Sequence, residues 1–380
     1  MRIYLDHNAT TPLRDEVVAA MVQVLQDEFG NPSSTHEEGT RARGLVDRAR
    51  EQVASCLGAR ADEVSFTAGA TEANNTVLCG MLASSSGRHL VTSAVEHPSV
   101  IEPADALEAA GVRVTRLGVD AEGMIDPEAY DAALAEGADL VSLIWANNET
   151  GVVQPLAILA ERARERGVPV HVDATQAVGK LPIDLKALPV DYLSCSAHKL
   201  NGPKGTGCLI ARSGARLEPL LRGGPQERRL RGGTENVAGI VGFGIACELA
   251  ERELPERGER MSSLRDRLWH GIQAKLSRVR RNGSAQHVLP NTLNVEIGDC
   301  AGELLLQALD LEGVAASAGA ACHSGSIHPS HVLAAMGRSP GQCRASLRLS
   351  VGHGVDEGQI DRAVQLLAEL VPRVREAGLT

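Results

Sequence analysis

Short apolar, β-rich runs punctuate the first half of the chain at 63–67, 89–93, 112–117, 139–145, 169–173 and 191–195. Their length and bounding turn residues predict strands. Between them, 71–83, 100–110 and 156–166 carry apolar positions at helical spacing. Strands alternating with helices imply a parallel sheet with crossover helices, and such sheets place ligands at the carboxyl ends of their strands. Asn147, Asn148, Asp173 and Lys199 all follow strand-like runs, so they are expected to converge. After about Gly233 the pattern changes. Long helical segments fill 237–280, strands are predicted near 291–296 and 345–350, and 356–376 places Ile360, Val364, Leu367 and Val371 on one helical face. The pattern predicts a large α/β domain over 13–255 and a smaller α/β domain over 256–380, with 1–12 packed against the latter.

A chain of 380 residues exceeds one ordinary core, which agrees with two domains. Aromatic residues make up only 2% of it, so the core is aliphatic and little remains to stack exposed bases. A net charge of −10 argues against a general nucleic-acid or membrane surface. No apolar run is long enough to span a bilayer, and the start of the chain lacks a basic stretch followed by an apolar one. Eight scattered cysteines without a CxxC pair read as cytoplasmic thiols, most of them small buried hydrophobes.

Three features carry chemistry. Gly69-Ala70-Thr71 joins a strand to a helix, and N–H groups at a helix start hold anions. Asp173 ends a strand, and Lys199 follows Ser196-Ala197-His198 and precedes the glycine-rich turn Gly202-Pro203-Lys204-Gly205. Each has a plainer reading alone: Thr71 as an N-cap, Asp173 as a cap for the next turn of chain, Lys199 as solvated surface. Together on one α/β scaffold they offer what pyridoxal phosphate requires: an amine for its aldehyde, a carboxylate for its ring nitrogen and donors for its phosphate. Ser196 and His198 are further phosphate donors, and Gln176 is placed for the phenolic oxygen.

The chain resembles the cysteine desulfurases of the NifS/IscS type, which are fold-type I pyridoxal-phosphate transferases of the class-V aminotransferase group. Matching runs cover nearly its whole length. They include Tyr4-Leu5-Asp6-His7-Asn8-Ala9-Thr10-Thr11, Phe66-Thr67-Ala68-Gly69-Ala70-Thr71-Glu72, Glu96-His97-Pro98-Ser99, Asn147-Asn148-Glu149-Thr150-Gly151, Asp173-Ala174-Thr175-Gln176, His198-Lys199, Arg231-Gly232-Gly233-Thr234-Glu235-Asn236 and the segment around Cys322. The resemblance implies a mainly parallel seven-stranded sheet in the large domain. It also implies that Lys199 bonds the cofactor, Asp173 pairs with its ring nitrogen, and His97 lies over the ring and assists proton transfer. Asn148 and Gln176 would contact its oxygen substituent, and Asn148 the substrate as well. Ala70, Thr71, Ser196 and His198 would hold the phosphate. Thr234 would reach the phosphate of a second subunit, which makes the enzyme a homodimer.

Cys322 lies among small residues in Ala320-Ala321-Cys322-His323-Ser324-Gly325, a composition suited to a mobile loop, here expected over about 318–333. A thiolate is a strong nucleophile and a neighbouring histidine lowers its pKa. By resemblance, Cys322 takes the sulfur of L-cysteine as a persulfide, leaving L-alanine, while Arg348 grips the substrate carboxylate. The persulfide would pass to an iron–sulfur scaffold protein or another sulfur acceptor. His328 and His353 depart from the family pattern, where a glutamate and a second arginine are usual. Cys322, His323, His328 and His331 also suggest a metal site, although their spacing fits no closed zinc site, and transient binding of an iron–sulfur cluster by Cys322 is a further expectation. The competing readings are another fold-type I enzyme, such as an aminotransferase or selenocysteine lyase, and a non-catalytic scaffold or sulfur carrier.

Overall fold

The computed structural model describes residues 2–82, 87–318 and 329–377. Its first strand, β1 (Ile3–Tyr4), is followed by seven that form one sheet: β2 (Val64–Thr67), β3 (His89–Ser93), β4 (Arg113–Leu117), β5 (Leu140–Ile144), β6 (Val170–Asp173), β7 (Tyr192–Ser196) and β8 (Gly207–Ala211). Their order across the sheet is β2-β8-β7-β6-β5-β3-β4. The pairs β7–β6, β6–β5, β5–β3 and β3–β4 are parallel, whereas β8 runs antiparallel to both β2 and β7. Every residue of β3, β5, β6 and β7 is buried, the pattern of strands covered by helices on both faces. The edge strand β4 instead exposes Arg113 and Arg116, charges that discourage further strand addition.

The six predicted strands of this sheet are all present. The seventh, β8, escaped the sequence reading because its apolar residues follow directly on Gly202-Pro203-Lys204-Gly205-Thr206 and read as the continuation of a turn. Gly207 at its start permits a close approach that a side chain would block. A Cβ there would lie 2.5 Å from the Cys195 carbonyl oxygen and 2.7 Å from Gly69 Cα. The helices Asp15–Asp27 and Glu37–Leu57 also went unpredicted.

A second sheet, entirely antiparallel, is built from β9 (Val279–Asn282), β10 (Thr292–Ile297), β12 (Ser317–Ala318) and β13 (Ser346–Ser350), in the order β12-β13-β10-β9. The short β11 (Val314–Ala315) pairs in parallel with β1. Among the described residues the two largest clusters of buried apolar side chains form two mainly aliphatic cores. The helix Val237–Lys275 serves both, giving Phe243, Ala246 and Ala250 to the first and Met261, Leu264, Leu268 and Ile272 to the second, with Pro255 between them. Ile3 and Leu5 are buried in the second core. The residues after them cross to the carboxyl end of β7, where Thr11 N donates to the His198 carbonyl at 3.0 Å. Among the described residues no helix is long and apolar enough to cross a membrane.

Candidate active site

The parallel strands deliver their carboxyl ends to one cavity of about 350 Å3, lined by Ala70, Thr71, His97, Asn148, Asp173, Gln176, Ser196, His198, Lys199 and Arg348. Ten of the twelve residues expected from the sequence therefore converge. Thr234 does not line this cavity. It is exposed, on a separate hollow with Arg231 and Glu235. Cys322 lies outside the described residues, as do His323 and His328.

Lys199 Nζ donates to the backbone carbonyls of Asn8 at 2.7 Å and Ala9 at 2.6 Å. Asn8 and Ala9 were not singled out from the sequence, although they belong to one of the runs that carry the resemblance. Asp173 is buried at the end of β6. Its Oδ1 accepts from Thr175 N at 2.9 Å and its Oδ2 from Asn74 Nδ2 at 2.9 Å. His97 caps the helix Pro98–Ala109 by accepting from Ser99 N at 3.1 Å. Burial holds the pKa of His97 below its ordinary value; the Lys199 and His331 charges act in the same direction and Asp173 against it. Burial pushes His198 down to about 4, with the charges of Lys199, Lys204 and Lys180 adding to the effect.

Beneath the cavity floor, Gln176 Nε2 donates to the Asn8 carbonyl at 2.9 Å, while Lys180 Nζ donates to Gln176 Oε1 at 2.8 Å. The first bond fixes which way the amide faces, because a carbonyl oxygen can only accept. Burial, followed by the charge of Lys199, holds Lys180 well below the ordinary lysine value. Neither Lys180 nor Asn74 was picked out from the sequence; neither type announces a role without its neighbours.

Arg348 is only 2% exposed. Its Nη2 donates to Asp6 Oδ1 at 2.7 Å and its Nη1 to the Asn148 carbonyl at 3.1 Å, and Nε has no partner among the described residues. A guanidinium so held is preorganised to receive a carboxylate from the cavity. Arg348→Lys is expected to raise KM for a carboxylate-bearing substrate about tenfold or more while moving kcat less, since a lysine cannot make the paired contact; steady-state kinetics check this.

The described chain on either side of 319–328 is anchored beside the cavity. Ser317 stands opposite Arg348 in the β12–β13 register. Ser330 donates to the buried Glu149 carboxyl, and His331 Nε2 donates to the Glu96 carbonyl at 2.9 Å. The His331 imidazole is thus engaged by the backbone next to His97. Among the described residues, no group of three or more His, Cys, Asp or Glu side chains could hold a metal ion.

The donor set fits pyridoxal phosphate. It offers an amine, a buried carboxylate, an imidazole, and a helix start at Ala70 whose first-turn N–H groups lack intrahelical acceptors. Ala70 N donates to Ser196 Oγ at 2.8 Å, which brings a hydroxyl to that helix start. A second hollow of about 410 Å3 shares Ala70, Thr71, Ser196 and His198 with the first and is also lined by Thr10 and Lys204.

The family model described as aminotransferase class-V matches residues 3–362. A cysteine desulfurase of Enterobacter agglomerans is 45% identical over 375 residues, 98% of this chain and 93% of that protein. The cysteine desulfurase IscS of Dictyoglomus turgidum is 42% identical over 375 residues, 98% of this chain and 95% of that protein. A solved NifS-like protein superposes with a TM-score of 0.92 at 35% identity, covering 98% of this chain and all of that one.

Proposed function

The chain belongs to the class-V aminotransferase family and is a pyridoxal-phosphate-dependent cysteine desulfurase, and on that premise we propose how its own residues carry out the reaction. The observation that carries the assignment of roles is the convergence of Lys199, Asp173, His97 and Arg348 on one cavity.

When bound, pyridoxal phosphate supplies an electron sink that acidifies Cα of an amino acid and weakens its Cβ–S bond. Lys199 would hold the cofactor through its amine, and that amine would also move the Cα proton. Asp173 would keep the ring nitrogen protonated, and His97 would face the ring. Asn148 and Gln176 would contact the ring oxygen, and Ala70, Thr71, Ser196 and His198 would hold the phosphate. Arg348 orients L-cysteine by its carboxylate. The Cys322 thiolate forms a bond to the substrate sulfur as the Cβ–S bond breaks. The electron pair stays on Cβ, which takes up a proton, so that the products are L-alanine and a Cys322 persulfide. The anchoring of Ser317 and Ser330 beside Arg348 and Glu149 supports this role, because Cys322 is four residues beyond Ala318, a span of at most about 14 Å. Alanine and sulfide released from L-cysteine in the presence of a thiol reductant test the reaction; cofactor-loaded protein that releases neither would overturn it.

The enzyme acts as a homodimer in this reading. Val18, Val22 and Leu25 lie on one stripe of the helix Asp15–Asp27, with Phe29 just beyond, and Leu25 and Phe29 are 73% and 86% exposed. An apolar face of this kind marks an interaction surface. Beyond Phe29, the chain at Pro32 is tied to the Thr234 segment, since Arg43 donates both to the Pro32 carbonyl at 3.2 Å and to Glu235 at 2.7 Å. A second copy seated there would receive Thr234 at its phosphate site. Leu25→Asp combined with Phe29→Asp is expected to give a monomer in sedimentation velocity and to weaken cofactor retention; an unchanged dimer would remove this face from the interface. The persulfide passes to an iron–sulfur scaffold or other thiol acceptor in the cytoplasm, a compartment in which the seven described cysteines, all free thiols, stay reduced. Transient cluster binding at Cys322 belongs to the same hand-over step.

A further inference from the structure

Asn74 is completely buried on the helix Ala70–Leu82, and its Nδ2 donates both to Asp173 Oδ2 and to Ser99 Oγ, each at 2.9 Å. A carboxylate accepts and does not donate, so the amide orientation is forced. Ser99 Oγ, having accepted from Asn74, has one proton left to give. The acceptor in reach is His97 Nδ1, at 2.8 Å. That same nitrogen accepts from Ser99 N at 3.1 Å, so two donors converge on Nδ1 and no proton resides there. The ring also caps a helix N-terminus, where positive charge is disfavoured. Among the described residues, charged groups acting on it include Asp173, Lys199 and His331.

We propose that Asn74 is a positioning residue which, through Ser99, holds His97 neutral and protonated on Nε2, so that this imidazole enters the cavity chemistry as a hydrogen-bond donor. The same amide also steadies the Asp173 carboxylate, so one side chain couples the group assigned to the ring nitrogen with the group assigned to the ring face. Proton abstraction is thereby left to Lys199. The kinetic consequence rests on the desulfurase reading of the site; the tautomer does not.

Nitrogen-15 NMR of histidine-labelled protein, with the His97 signal identified by its loss in His97→Gln, reads the tautomer directly. Wild type is expected to show Nε2 protonated and Nδ1 bare across about pH 6 to 8. Asn74→Leu removes the donor that directs the Ser99 hydroxyl, and Ser99→Ala removes that hydroxyl itself. Both leave the residue-99 N–H as the remaining donor to Nδ1, and are expected to give a roughly tenfold rise in the proton affinity of His97, seen also as an acid limb of kcat/KM displaced upward by about one unit. Wild type protonated on Nδ1 would overturn the proposal. So would a folded, cofactor-loaded Asn74→Leu with the wild-type His97 proton affinity and pH profile. If Asn74→Leu does not fold, Ser99→Ala decides alone, since its hydroxyl is the link. Absence of alanine formation by wild type would overturn the reaction and leave the tautomer measurement standing.

Discussion

Lys199→Ala is expected to abolish desulfuration, with a loss of more than about a thousandfold in kcat, because the same nitrogen holds the cofactor and moves the Cα proton. Borohydride should fix the cofactor covalently to wild type and not to the variant, as read by retained absorbance after denaturation. The two carbonyls that accept from Lys199 Nζ belong to Asn8 and Ala9, in the segment whose preceding residues lie in the second core. Loss of the amine therefore also removes a tie between the N-terminal segment and β7. A modest fall in the melting temperature of the cofactor-free protein should accompany the catalytic loss. Wild-type turnover by Lys199→Ala would assign both tasks to another amine, and Lys180, held by Gln176, would be the first to examine.

Cys322→Ala is expected to lower alanine formation from L-cysteine by about a hundredfold or more, and to leave cofactor absorbance unchanged, since no cofactor-binding role falls on that residue. The contrast with Lys199→Ala is diagnostic: one variant loses the covalent bond to the cofactor, the other only the sulfur acceptor. Equal alanine formation by Cys322→Ala and wild type would remove the persulfide role and favour direct release of sulfide.

The strands and their ligand end were legible because β3, β5, β6 and β7 are buried on both faces and so read as continuous apolar runs. The strand β8 was not, since its five residues follow a glycine-rich turn. Single residues with a distinctive chemistry, such as Lys199, Asp173 and Arg348, could be placed from their motifs. Asn8, Asn74, Ser99 and Lys180 could not, because their roles arise from contacts between distant parts of the chain, 25 positions apart for Asn74 with Ser99 and 168 for Gln176 with Asn8. Hydrogen-bond partners at such separations are set by the folded sheet and leave no local pattern. Thr234 shows a different limit: its expected task is toward a second copy, and within one chain it lies on its own hollow.

The most direct measurement is a single turnover of the cofactor-loaded enzyme with sulfur-labelled L-cysteine, followed by mass spectrometry of the peptide containing Cys322. The account predicts one labelled sulfur atom on Cys322 for each alanine formed. Alanine formed with the label on another cysteine, or on none, would contradict it.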